Sequence, residues 1–124
     1  MENEKTIKVG DKEVTFRATA ATARHYRNIF GRDMMEDMMN LSKEMEESDP
    51  NASTLPSGSL LIFENVAYIM AWHAAKAHGE LDGFPDDPAE WLDSFEFFSI
   101  YEILPAVFEL WGMNNKTLVK SKKK

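Results

Sequence analysis

The two-residue turn Gly10-Asp11, set between Lys5-Thr6-Ile7-Lys8-Val9 and Lys12-Glu13-Val14-Thr15-Phe16, constrains this chain more than any other feature. A Gly-X pair supplies the backbone twist of a tight β-hairpin, and a two-residue loop fixes the register of the strands it joins. Val9 then faces Lys12, Ile7 faces Val14 and Lys5 faces Phe16, which gathers Ile7, Val9, Val14 and Phe16 on one face. The other face pairs Thr6 with Thr15 and Lys8 with Glu13, and is expected to be wet. A lone hairpin is marginal in water, so its apolar face must rest on the helices that follow or on a second copy of the chain. Two free strand edges keep self-association open, with Ile7, Val9, Val14 and Phe16 as its candidate residues.

Everything after the hairpin reads as helix. A first helix runs from about Ala20 to Phe30 and stops at Gly31, a residue suited to a left-handed cap. Asp33-Met34-Met35-Glu36 has the form of a capping box and opens a second helix that reaches about Glu47. The polar stretch from Ser48 to Gly58, with Pro50 and Pro56, reads as a mobile loop. The third helix, about Ser59 to His78, carries the most apolar window, Leu60 to Ala77; Glu64, Asn65, His73 and Lys76 interrupt it, so it reads as a buried central helix and not as a membrane span. Asp87-Pro88-Ala89-Glu90 supplies a cap and a first-turn proline for a short fourth helix through Trp91 and Leu92. A fifth, about Phe95 to Trp111, contains Pro105, which should kink or divide it near Leu104. The expected fold is mainly α with a small N-terminal β-hairpin (α+β): one domain over residues 1–112 with about five helical segments, then a flexible lysine-rich tail over 113–124.

At 124 residues the chain has room for one core and no second domain. It has no cysteine, which removes disulfides, thiol nucleophiles and thiolate metal sites. Met-Glu-Asn-Glu-Lys leads into no apolar run, so no secretory signal is expected. The formal net charge is −7, but five lysines and no acids fall in residues 113–124, which leaves −12 on the rest. Such a body repels nucleic acid; the tail reads as a solvated end, with phosphate gripping as the alternative.

The sequence points to no catalysis. His73 and His78 do not share a helical face, and Glu80 and Asp82 lie beyond Gly79, which makes a metal site a matter of fortunate loop geometry. His25, between Arg24 and Arg27, reads as a surface histidine. The pairs Asp86-Asp87 and Glu46-Glu47 sit at helix boundaries, where acids stabilise the macrodipole or simply remain solvated. Phosphate-cradling glycine loops, serine elbows and paired-histidine zinc helices are missing. We therefore expect a non-enzyme with no catalytic residue, metal or cofactor.

Binding by surfaces is left. Met34, Met38, Leu41 and Met45 fall on one helical stripe that Met35 and Met39 widen, with acids opposite. Flexible, polarisable methionine suits grooves that take helical partners, and equally suits a core; both readings stand. Phe95 and Phe98, in an aromatic run with apolar residues on more than one helical face, read as packing inside the monomer, with self-association behind.

The order of elements resembles the tail assembly chaperones of long-tailed phages and prophages of Gram-positive bacteria. The resemblance covers about residues 5–112: the hairpin Ile7 to Phe16, then Ala20-Ala21-Thr22-Ala23-Arg24-His25-Tyr26-Arg27, Phe30-Gly31-Arg32-Asp33, and the acidic turn Pro85-Asp86-Asp87-Pro88-Ala89-Glu90-Trp91-Leu92. It implies a host-cytoplasmic protein that binds the long helical tape-measure protein, keeps it soluble while tail-tube subunits assemble, and is absent from the finished particle. It also implies a longer, frameshifted form of the chain, for which Lys122-Lys123-Lys124 would lie at the A-rich slippery codons. The competing classes are a tail or connector component of the particle, a small DNA-binding regulator and, weakest, a small enzyme.

Overall fold

The computed structural model describes residues 3–47, 57–98 and 100–112. Strands β1 (Glu4–Val9) and β2 (Lys12–Arg17) form an antiparallel hairpin, followed by α1 (Ala20–Phe30), α2 (Met34–Glu47), α3 (Ser57–Ala77), α4 (Pro88–Leu92) and α5 (Ile100–Trp111). The fold is mostly helical with a two-stranded N-terminal hairpin, as the turn and caps predict. The lysine-rich stretch expected at 113–124 and most of the expected loop, 48–56, lie outside the described residues.

The hairpin has the register the turn dictates, with Lys5 opposite Phe16, Ile7 opposite Val14 and Val9 opposite Lys12. Gly10 takes φ 66°, a conformation that only a residue without a Cβ adopts cheaply. On the wet face Thr6 and Thr15 join their hydroxyls at 2.7 Å. The apolar face is covered from within the chain: β2 packs on α3 and β1 on α5. Phe16 and Val9 are fully buried there, while Ile7 and Val14 are half-buried against the same core. The four hairpin residues proposed for self-association are thus occupied by the monomer's own packing, because two helices already supply the cover a second copy would have given.

Thr22 fastens the hairpin to α1. It is completely buried, its hydroxyl accepts the Thr19 N–H at 2.9 Å, and it reaches back to the Arg17 carbonyl at 3.4 Å. At the far end Gly31, at φ 67°, donates to the Arg27 carbonyl and turns the chain into α2. Asp33 then accepts the Met35 N–H at 2.9 Å and caps that helix.

Helix α3 is the central element, touching β2, α1, α2, α4 and α5. Every residue from Val66 to Ala71 is buried, so here the helix is enclosed on all sides. It begins at Ser57, inside the stretch expected to be loop.

The C-terminal third departs from expectation at the start of its helix. Helix α5 begins at Ile100, not Phe95, because the preceding aromatic residues build a cluster instead of a helical turn. The buried Trp91 ring has Phe95 at 5.1 Å and Phe98 at 5.2 Å, and Phe98 also meets Phe63 of α3. Both phenylalanines are half-buried in this intrachain cluster. Of the two outcomes expected at Pro105, division does not occur: α5 runs unbroken from Ile100 to Trp111. The proline ring is exposed while Ile103, Leu104, Ala106 and Val107 are buried, so one lost backbone bond is outweighed by an apolar face worth about 1.5–3 kcal/mol for each large residue.

Candidate partner-binding surface

The methionine helix has two different faces. Met34, Met38 and Leu41 are at most 1% exposed and point into the core, which removes them from a partner surface. Met35 and Met39, one turn apart, are 43% and 52% exposed on the outer side. The Met45 side chain lies outside the described residues.

A polar clamp, not apolar packing alone, sets the rotation of α2. Asp37 shares the buried face with Met34 and Leu41, at 1% exposure, so the acids of this helix are not all on its outer side. Its Oδ2 accepts from the Tyr26 hydroxyl at 2.7 Å and from Arg32 Nε at 2.7 Å, and its Oδ1 accepts from Arg32 Nη2 at 2.8 Å. Burial alone would raise the carboxyl pKa; the bonds from Arg32 and Tyr26 and the guanidinium charge overcome it and hold Asp37 below its ordinary value. Tyr26 is pushed far upward, by burial first and then by the Asp37 bond. Sequence reading missed this triad, although an acid at helical spacing between Met34 and Leu41 was the available signal.

Beside α2, Arg32, Asn40, Lys43, Glu44, Leu61 and Asn65 line an open groove of about 670 Å³ against the first turns of α3. Leu61 is 58% exposed there, and Ile29 on α1 is 48% exposed. Met35, Met39 and Leu61 are the large apolar side chains that α2 and α3 leave outward among the described residues.

The acidic turn proves to be a packing device. Asp87 Oδ1 accepts the Glu90 N–H at 2.8 Å, Pro88 starts α4, and Tyr68 donates its hydroxyl to the Pro85 carbonyl at 2.8 Å. Together they set Trp91 edge-on to Tyr68 with the rings 5.9 Å apart.

His25 is arranged otherwise than expected, while His73 and His78 go to separate partners. His25 is no isolated surface residue: its Nδ1 lies 2.9 Å from Nε2 of His73, which is buried, and its ring stands 4.3 Å from Trp72. Burial, with help from His25, Lys76 and Arg17, pushes His73 down to about 4; burial and Lys76 also lower His25. His78 instead meets Glu4 Oε1 at 2.9 Å, and Glu4 also takes Arg17 at 2.7 Å. The His78 bond is the main influence holding Glu4 below its ordinary value, against the upward effect of burial. Among the described residues there is no group of three or more His, Cys, Asp or Glu that could hold a metal, and no helix is long and apolar enough to cross a membrane.

Compared with known proteins, the chain matches no family model, no curated protein and no solved structure.

Proposed function

We propose that this protein is a phage tail assembly chaperone acting in the host bacterial cytoplasm, where it holds the tape-measure protein in solution until tail-tube subunits assemble around it. The supporting observation is the divided α2. Its inner face is locked by Met34, Met38, Leu41 and Asp37, its outer face leaves Met35 and Met39 exposed, and Asn40, Lys43 and Glu44 of the same helix line a groove that carries Leu61. An amphipathic client helix would lay its apolar stripe on such a surface, and flexible methionines would accommodate a stripe that varies along its length. A net charge of −7 would keep the loaded complex dispersed. The order of hairpin, helices and acidic turn, which resembles this family, gives the reading its biological frame and implies a longer frameshifted partner form.

The deciding experiment is co-expression with the largest helical reading frame downstream of the gene, followed by pull-down and a solubility assay. A soluble complex with the intact protein, lost in a Met35→Asp/Met39→Asp double variant of unchanged thermal stability, is the expected result. A client that stays insoluble and unbound overturns the proposal. Recovery of the protein from purified virions would make it a component of the particle instead.

A further inference from the structure

A pair of cations without a carboxylate between them lies between α1 and α3. A pocket of about 230 Å³ opens there, lined by Arg24, His25, Asn28, Trp72, His73 and Lys76. No carboxylate lines it, in a chain with twenty-one acidic residues. Elsewhere in the described structure Arg17 has Glu4, Arg32 has Asp37 and Lys5 has Glu109. Arg24 and Lys76 pair with no carboxylate among the described residues, and Lys76 Nζ rests 5.6 Å over the Trp72 ring.

The two imidazoles add a donor whichever tautomer is present. If His73 Nε2–H donates to His25 Nδ1, His25 keeps a free Nε2–H; if His25 Nδ1–H donates, His73 keeps a free Nδ1–H. The pocket therefore offers two full positive charges, one amide and at least one imidazole N–H. That donor set suits a dianion and repels a metal cation.

We propose that this pocket binds a small oxyanion of the phosphate class, with Arg24 and Lys76 supplying the charge and the His25–His73 pair supplying N–H donors. Bound anion stabilises the imidazolium form, so occupancy also draws protons onto a pair that burial, Lys76 and, at His73, Arg17 otherwise keep neutral. The site is independent of the chaperone reading and stands or falls separately.

The test is titration of the full chain with inorganic phosphate at constant ionic strength, followed by imidazole NMR. The chain has three histidines, and His78, bonded to Glu4 outside the pocket, is a built-in control. The expected result is saturable shifts at His25 and His73 with His78 unmoved, and an upward displacement of both titrations. Lys76→Met should weaken binding about tenfold, as loss of one charge-assisted bond does; Arg24→Gln, on the exposed side of α1, gives an independent second variant. Shifts that stay linear through the millimolar range, that move His78 equally, or that persist unchanged in both variants overturn the site. Acetate binding as tightly as phosphate overturns the phosphate class.

Discussion

Single residues in this molecule are most consequential where a polar group sits in the core. Asp37 satisfies Tyr26 and holds Arg32, so Asp37→Ala leaves a buried hydroxyl without its acceptor and opens a small void. We expect a loss of about 2–4 kcal/mol in urea unfolding, and Arg32→Met to raise the Asp37 pKa, read by NMR titration. His73 gives a pH signature. Above its unfolded value of 6.5 the imidazole is neutral in both states. As pH falls, the unfolded chain takes up a proton that folded His73 refuses until about pH 4, so stability declines across that window, by up to about 3 kcal/mol. His25, Lys76 and Arg17 face the ring and push the same way. His73→Gln should flatten this part of the stability profile measured by chemical denaturation. Neither group was legible as a partner from sequence, since Tyr26 and His25 find Asp37 and His73 only after α1 has packed on α2 and α3.

At the level of elements, α2 separates stability from binding. Met38→Asp buries an unpaired charge and should cost several kcal/mol, seen as a sharp fall in Tm. Met39→Asp, on the exposed side, should leave Tm nearly unchanged and act on client capture alone. Gly31→Ala should cost about 1 kcal/mol, because the turn between α1 and α2 needs φ 67°. The elements that sequence predicted well are those marked by local chemistry: the Gly10-Asp11 turn, the Gly31 cap, and the Asp87-Pro88 start. The misplaced start of α5 has the opposite origin. Phe95 and Phe98 carry no local signal for leaving the helix; Trp91 and Phe63, brought near by α4 and α3, draw them into a ring cluster. The divided face of α2 was half legible, since periodicity groups Met34, Met38 and Leu41 but does not say which way that group turns.

For the whole molecule, the hairpin and α5 depend on each other. A chain ended after residue 98 loses Ile103, Leu104 and Val107 and uncovers β1, so it should show no cooperative thermal transition by circular dichroism. The contact of β1 with α5 also orders events during synthesis. Some ninety residues separate the end of β2 from the end of α5, which at ribosomal speeds is about 5–20 seconds. Through that interval Ile7 and Val9 of β1 wait for α5, although β2 can meet α3 once Ala77 is made. A protein proposed to shelter another chain's apolar surface thus carries one of its own uncovered during synthesis, and a hairpin translated before every helix is among the last elements to settle.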